Sequence, residues 1–218
     1  MILSNKEILE EIRRRNIKIG ELTGNEPPDQ APFNTTSVDL KLSSEVYIPK
    51  ENALAVDLYK DPKITSLLDS NCDTIDINKK TPFILRPKNF ILSKTKEKIH
   101  LTSDRKCFAA RVEGKSSRAR CGLTVHCTAP TIHAGFEGHI TLEISNLSTW
   151  PFLLYPDMYI CQLIIEEVKG DIADIKSQYH GQYSATGRSQ DQEPIEQTVE
   201  RILKGLRLVN RNVQSFLK

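Results

Sequence analysis

The chain has 218 residues, of which 39% are apolar and 27% are charged, and its formal net charge is +2. This composition supports a folded core and argues against disorder throughout. A charge so close to neutral argues against a protein that binds nucleic acid through bulk charge. No apolar run is long enough to span a membrane, and the first residues lack the apolar segment of a secretory signal. We therefore expect no nucleic-acid partner and no membrane partner.

The cysteines indicate a reduced, cytoplasmic protein. They are Cys72, Cys107, Cys121, Cys127 and Cys161. Their number is odd and no two form a C-x-x-C pair, which disfavours both a disulfide framework and a structural zinc site. The H-x-E and P-C-x-x-C patterns of zinc deaminases are also missing from the sequence. We expect no zinc and no metal ligands among the site residues.

The first elements in chain order are a helix, a loop and a strand. Ser4 and Glu7 form a capping-box pattern, and the apolar positions 8, 9 and 12 then predict a helix from about residue 5 to residue 15. Three prolines predict a loop over residues 20–36. The alternation of polar and apolar residues over 37–42 predicts a half-buried strand.

Short strand patterns, separated by turn residues, fill the chain from residue 74 onward. They cover residues 75–77, 83–85, 90–92, 107–112, 123–127, 139–144, 152–154 and 159–168. Their number and spacing predict a mainly β fold, either an antiparallel sandwich or a barrel.

The C-terminal part of the chain differs from the rest. Residues 184–193 are polar and predict a linker after a domain that spans residues 1–183. From Pro194 the apolar residues recur in alternating steps of four and three, which predicts an amphipathic helix over 194–218. This helix either packs against its own subunit or joins subunits, and the pattern leaves both arrangements open.

A short motif in the middle of the chain could bind phosphate. Gly114-Lys115-Ser116-Ser117 combines backbone amides, hydroxyls and a cation that can hold phosphate oxygens. An ordinary solvated turn is the commoner outcome for so short a motif. A helix that starts near Ser116 and ends at Gly122 would bring Arg120 to the same side as Ser116.

Glu143 is the candidate general base. It lies in Ile140-Thr141-Leu142-Glu143-Ile144, where the alternation places Thr141 and Glu143 on one face of a strand. If that face lines a cleft, the carboxylate is partly desolvated and suits general base catalysis. If the face meets water, Glu143 is a surface residue, which is the commoner outcome for a strand glutamate.

Together these motifs resemble the dCTP deaminases, which share a superfamily with the trimeric dUTPases. The resemblance is strongest in GKSSRARCGLTVHCTAPTIHAGFEGHITLEISN, and it extends to MILSNKEILEEI, SVDLKL, QLIIEEV and QYHGQ, over roughly residues 1–188. The glutamate of ITLEI indicates the deaminase branch, because ordinary dUTPases lack it. The resemblance implies a distorted antiparallel β-barrel or jelly-roll of the dUTPase-like type, a homotrimer with active sites between subunits, and Mg²⁺ bound with a triphosphate.

The resemblance also assigns roles to single residues. Glu143 matches the glutamate that activates water, without zinc, for attack on C4 of cytosine. Ser116 and Arg120 match residues that hold this water and stabilise the intermediate. The implied substrate contacts are Lys115 and Ser117 to the triphosphate, Cys127, Thr128 and Ala129 to the base, His133 and Phe136 near the deoxyribose, and Tyr179 and Gln182 in an arm that closes over the phosphates.

Two residues depart from the family pattern. Lys115 replaces the usual arginine, so that the charge is kept and the bidentate contact is lost. His133 replaces the aspartate that serves phosphate cleavage in dUTPases and many relatives. We therefore expect dCTP to give dUTP and ammonia, without pyrophosphate.

Other functions remain open at this point. The chain could be a dUTPase or a bifunctional enzyme that forms dUMP, or a nucleotide-binding trimer without turnover. The C-terminal helix could also pair two trimers.

Overall fold

The computed structural model describes residues 1–51, 64–103, 106–173 and 181–186. Tyr179, residues 187–193 of the predicted linker and the predicted helix over 194–218 lie outside these ranges. The domain limits and the C-terminal helix therefore stay predictions.

The described elements are mainly strands, as the sequence predicts. In chain order they are α1 (Asn5–Arg13), β1 (Ile17–Ile19), β2 (Val38–Pro49), α2 (Ile64–Asn71), β3 (Cys72–Asp76), β4 (Phe83–Leu85), β5 (Phe90–Leu101), β6 (Phe108–Gly114), α3 (Ser116–Ala119), β7 (Leu123–Thr124), β8 (Thr131–Ile132), β9 (Glu137–Asn146), β10 (Phe152–Leu154) and β11 (Tyr159–Glu167). Within the described ranges, every helix is too short or too polar to form a membrane span.

α1 forms for the local reasons that the sequence suggests. The N–H of Ser4 donates to Glu7 Oε2 at 2.8 Å, and the N–H of Glu7 donates to Ser4 Oγ at 3.3 Å, which closes the capping box. Ile8, Leu9 and Ile12 are buried in the core. The helix ends two residues before the predicted end, at Arg13.

One curled antiparallel sheet forms most of the fold. Its strands follow the order β7-β9-β5-β2-β11-β6-β8, with β1 added beside β5 and β3 beside β2. β6 and β7 are far apart in this order, although only residues 115–122 connect them. So short a connection requires the sheet to curl until the two strands approach each other. A Cβ on Gly114, at the end of β6, would accordingly lie 3.7 Å from Val125, just after β7. This half-barrel confirms the expected fold class.

β9 shows the predicted alternation over its whole length. Ile140, Leu142 and Ile144 face the core and are at most 4% exposed, whereas Thr141 and Glu143 lie half-buried on the outer face. The buried side chains of β2, β5 and β11 belong to the same core cluster. The rigid inner face therefore holds the outer face of β9 in a defined position.

β5 is much longer than the predicted strand over 90–92. It continues to Leu101 through Lys94, Lys96 and Lys98, which break the apolar pattern. Lys96 and Lys98 are tolerated because their side chains reach water, where they pair with Asp157 and Glu137. Lys94 is buried and pairs with Glu45. α2 has no counterpart among the predicted elements.

Residues 181–186, which we call the arm segment, pack on the outer face of this sheet. Ser184, Ala185 and Thr186 are 5%, 3% and 3% exposed, although the predicted linker begins at Ser184. The start of that polar stretch is thus covered by structure, and its polarity serves hydrogen bonds within the chain rather than contact with water.

Candidate active site

Glu143 is held by its neighbours on the edge of β9. Its Oε2 accepts the N–H of Cys127 at 2.7 Å. Its own N–H donates to the carbonyl of Val125 at 3.0 Å. The carboxylate is therefore oriented by the backbone, and its remaining lone pairs can still accept a proton or a hydrogen bond.

The same contact explains why β7 is shorter than predicted. The strand was expected to reach Cys127, but it ends at Thr124. Beyond Val125, the N–H of Cys127 turns to the carboxylate of Glu143 instead of a carbonyl group on a neighbouring strand. The side chain of Glu143 thus ends the backbone pairing between β7 and β9 beside the predicted catalytic residue.

The thiol of Cys127 lies beside this carboxylate. Burial of the sulfur, followed by the negative charge and hydrogen bond of Glu143, raises the pKa of the thiol. Only the thiolate form of cysteine is a strong nucleophile. Cys127 is therefore unsuited to nucleophilic catalysis near neutral pH.

α3 confirms the short helix predicted after Lys115. The N–H of Arg120 donates to the carbonyl of Ser116 at 3.1 Å, which brings the two residues to one turn. Gly122 follows with φ of +92°, and a Cβ there would lie 3.0 Å from Ser148. Glycine is therefore needed where the helix ends.

The three candidate catalytic residues lie on neighbouring elements of the fold. β7 contacts α3 on one side and pairs with β9 on the other. Ser116 and Arg120 are exposed, and no hydrogen bond or ion pair among the described residues joins either of them to Glu143. A single chain therefore brings the three residues to one region without direct contact between the side chains.

Lys115 is already paired with an acidic residue. Its Nζ forms an ion pair with Asp39 and lies 6.0 Å from the ring centroid of Tyr159. Asp39 also accepts a hydrogen bond from Asn34 Nδ2 at 3.0 Å. Sequence reasoning treated Asp39 only as a polar position in a strand and missed this contact, because 76 residues separate it from Lys115. A phosphate at Lys115 would compete with the Asp39 carboxylate.

Three buried polar atoms near the site lack a hydrogen-bond partner in the described part of the chain. They are Arg118 Nη1, Thr124 Oγ1 and His126 Nδ1. Burial lowers the pKa of Arg118. Because buried polar groups are almost always paired, these atoms mark residues 118–126 as a part of the described chain whose polar side chains are incompletely satisfied.

The remaining predicted site residues occupy two places. Thr128 and Ala129 are exposed on the turn after β7. His133 is exposed directly after β8, and its carbonyl accepts the N–H of Phe136 at 3.2 Å. Phe136 is half-buried against the core. Gln182 is buried beside β9, where its Nε2 donates to the carbonyl of His139 at 3.1 Å. Its hydrogen bonds within the described residues thus go to the Glu143 strand and not to Lys115 or Ser117.

Comparison with protein families decides the relationship. A family model described as dCTP deaminase-like matches residues 2–168. The chain belongs to the dCTP deaminase-like family. This confirms the resemblance seen in the sequence motifs, and the match includes every predicted site residue except Tyr179 and Gln182.

Curated relatives are similar over most of the chain. A protein from Methanosphaera stadtmanae is 38% identical over 165 residues, which are 76% of this chain and 78% of the relative. A protein from Beutenbergia cavernae is 37% identical over 195 residues, which are 85% of this chain and 93% of the relative. Each of these relatives is named dCTP deaminase, dUMP-forming.

A solved structure supports the fold. The 2'-deoxycytidine 5'-triphosphate deaminase from Agrobacterium tumefaciens is similar with a TM-score of 0.55 at 20% sequence identity. The match covers 75% of this chain and 47% of that chain, so that this chain spans about half the length of the solved protein.

Proposed function

We propose that the chain deaminates dCTP and that Glu143 is the general base. The observation that carries the proposal is the orientation of the Glu143 carboxylate by the N–H of Cys127, 2.7 Å away, on the outer face of a rigid strand. Membership of the dCTP deaminase-like family and the names of the relatives support dCTP as the substrate.

In the proposed reaction, Glu143 removes a proton from a water molecule as that water attacks C4 of cytosine. The carboxyl group passes this proton to N3 of the ring. The carboxylate then takes the hydroxyl proton of the tetrahedral intermediate and delivers it to the amino group, so that the C4–N bond breaks, ammonia leaves and the C4 carbonyl forms. Arg120 and Ser116 hold the water and stabilise the charge that develops on the ring, a role that preorganised donors fill well.

The backbone after β7 recognises the base. Because the N–H of Cys127 is occupied by Glu143, hydrogen bonds to the pyrimidine edge come from the carbonyl group of Cys127 and from the backbone of Thr128 and Ala129. Phe136 packs beside the deoxyribose. Cys127 thus orients the catalytic carboxylate through its N–H and recognises the base through its carbonyl group.

The triphosphate binds at Lys115 and Ser117 together with Mg²⁺. Lys115 exchanges part of its contact with Asp39 for phosphate oxygens. The described residues contain no group of three or more His, Cys, Asp or Glu side chains placed to hold a metal ion. Mg²⁺ commonly keeps several waters and binds through substrate phosphates, so it fits this site without a dedicated protein cage. We assign it no protein ligand.

The active assembly is a homotrimer in the cytoplasm. Large apolar side chains are exposed on one chain, among them Leu147 at 73%, Trp150 at 64%, Ile84 at 53% and Leu153 at 50%. Ile84 and Leu153 are paired directly across β4 and β10. Such side chains are suited to contact with a second copy of the chain.

The proposal is tested by incubating the purified full chain with dCTP and Mg²⁺ and separating the nucleotides by anion exchange. We expect loss of dCTP with release of one ammonia per turnover. Binding of dCTP without product would instead favour a nucleotide-binding protein without turnover.

A second candidate is a bifunctional enzyme that converts dCTP to dUMP and pyrophosphate. The names of the relatives from Methanosphaera stadtmanae and Beutenbergia cavernae favour it. His133 favours dUTP as the product, because it stands where the resemblance implies the aspartate needed for phosphate cleavage. The nucleotide separation distinguishes dUTP from dUMP directly.

A further inference from the structure

The arm segment, residues 181–186, is docked on the same strand that carries Glu143. The N–H of Gly181 donates to the carbonyl of Glu137 at 2.8 Å, and the N–H of His139 donates to the carbonyl of Gln182 at 2.9 Å. β7 and Val125 occupy the edge of β9 near residues 143–146. The arm segment thus continues along the part of this edge that β7 leaves uncovered.

Gly138 provides the space in which the arm segment lies. A Cβ at this position would lie 2.6 Å from the carbonyl oxygen of Gln182 and 2.9 Å from its backbone nitrogen. Both are backbone atoms, so they cannot move aside as a flexible side chain would. Any other residue at position 138 would displace the arm segment or distort β9.

A buried lysine holds the middle of the arm segment. Lys94, on β5, is 8% exposed, and its Nζ donates to the carbonyl of Tyr183 at 2.6 Å. The same ammonium group lies 2.8 Å from Glu45 Oε2, which also accepts the hydroxyl of Tyr47 at 2.8 Å. A buried charge is costly unless it is paired and hydrogen-bonded, so this lysine is stable only with both its carboxylate and the carbonyl of Tyr183 in place.

The charges around Lys94 are arranged to keep Glu45 ionised. Burial alone would raise the pKa of Glu45, but hydrogen bonds from Lys94 and Tyr47 outweigh burial, and the pKa falls below its ordinary value. Burial lowers the pKa of the neighbouring His139, which therefore adds no second positive charge beside Lys94 near neutral pH.

The docked arm segment lies close to the candidate catalytic carboxylate. Thr141 donates to the carbonyl of Ala185 at 3.2 Å and also contacts the Gln182 side chain. Thr141 and Glu143 are two residues apart on one face of β9, a spacing of about 7 Å along a strand. At its far end, Thr186 Oγ1 donates to Asp69 Oδ1 of α2 at 2.5 Å.

We propose that Lys94, with Glu45 and Tyr47, is a positioning residue that fixes the arm segment within its own chain as one wall of the Glu143 site. The catalytic consequence rests on the proposed deaminase function, whereas the docking itself does not. Lys94 touches neither water nor substrate in this role. It acts through the carbonyl of Tyr183 and so keeps Gln182 and Ala185 against Thr141.

The test uses the full chain with two variants that act by different routes. Lys94→Met removes the ammonium group, and Gly138→Ala blocks the docking space. Hydrogen–deuterium exchange followed by mass spectrometry measures protection of the arm segment without any assay of activity. We expect both variants to raise exchange in residues 181–186 at least about tenfold.

Matched controls separate docking from general destabilisation. Lys96→Met removes an exposed lysine of the same strand, which pairs with Asp157. Gly170→Ala replaces a glycine with positive φ that has nothing within 4 Å of its Cβ position. Both controls should leave exchange in the arm segment unchanged. Tyr47→Phe, which removes one hydroxyl, provides a milder variant if Lys94→Met does not fold.

Kinetics on dCTP then test the role of the wall. Loosening the segment should raise KM about tenfold and leave kcat within about threefold, because Glu143, Ser116 and Arg120 are untouched. Unchanged exchange in both Gly138→Ala and the lysine or tyrosine variant would refute the docking. Faster exchange in the arm segment with an unchanged KM for dCTP would refute the claim that this segment forms a wall of the Glu143 site. If the wild-type protein does not deaminate dCTP, the proposed function fails while the exchange data still decide the docking.

Discussion

At the scale of residues, the orientation of Glu143 leads to a direct prediction. Glu143→Gln preserves the shape of the side chain and can still accept the N–H of Cys127, but it cannot take a proton from water. We expect kcat for deamination to fall by about 10²–10⁴-fold, the usual loss of a general base, while dCTP binding stays within a few-fold. Stopped-time assays of product formation measure kcat, and titration calorimetry measures dCTP binding.

Glu166→Gln serves as the control for this change, since Glu166 is a partly exposed carboxylate that pairs with Arg111. It should leave both quantities unaltered. A Glu143→Gln variant with more than half the wild-type turnover would remove Glu143 from the mechanism.

His133 leads to a second prediction at this scale. The wild-type protein should form dUTP without pyrophosphate, because a carboxylate is missing where phosphate cleavage needs a base. His133→Asp restores that carboxylate on an exposed turn and should introduce release of pyrophosphate together with dUMP. Nucleotide separation with an enzymatic pyrophosphate assay checks both. Stoichiometric pyrophosphate from the wild-type protein would contradict the role given to His133 and favour the bifunctional candidate.

At the scale of elements, α1 is tied to the rest of the fold through a buried carboxylate. Glu11 is 3% exposed and accepts hydrogen bonds from Asn16 Nδ2 and Lys106 Nζ, each at 2.7 Å. Burial would raise the pKa of Glu11, but these contacts outweigh it and the pKa is lowered. A lowered folded-state pKa means that the ionised group stabilises the fold above its unfolded pKa and that this contribution is lost as the pH falls.

Glu11→Gln should therefore lower the free energy of unfolding by about 1–3 kcal/mol at pH 7, the range for loss of a buried hydrogen-bonded partner. The difference in the free energy of unfolding between Glu11→Gln and the wild type should narrow at low pH. It narrows as the pH falls from about 4.5, near the unfolded pKa of glutamate, through the lower pKa of Glu11 in the folded state. Denaturant titrations at pH 7 and pH 4 measure it. Glu10→Gln on the exposed side of α1 is the control, and an equal difference at both pH values would contradict the linkage.

At the scale of the whole molecule, the exposed apolar residues of the β4–β10 pair predict association. Light scattering should give about 74 kDa for a trimer of the 24.7 kDa chain, or about twice that mass for paired trimers. Deletion of residues 188–218 should halve the larger assembly if the C-terminal helix joins trimers. An unchanged number of subunits would favour a helix packed on its own chain, and an active monomer would contradict the trimer itself.

Much of the fold is encoded locally and could be predicted from the sequence. The capping box of Ser4 and Glu7, the turn that ends at Gly122 and the alternation of β9 each depend on residues within a few positions of one another. The sequence alone also determined the family, because the motifs around Lys115 and Glu143 keep their order and spacing. These features follow from helix capping, backbone freedom and side-chain periodicity, which need no distant partner.

The tertiary structure alone decided which charged residues lie together. Lys94 looks like a surface lysine in the sequence, but it is buried because Glu45 and the carbonyl of Tyr183, 89 residues later, meet it. Asp39 meets Lys115 only because β11 pairs with both β2 and β6. Likewise, the polarity of residues 184–186 predicts that they are exposed to solvent. They are buried instead, and they form hydrogen bonds to Thr141 of β9 and Asp69 of α2. The physical reason is common to all three: the energy of a buried polar group depends on partners that only the curled sheet brings within reach.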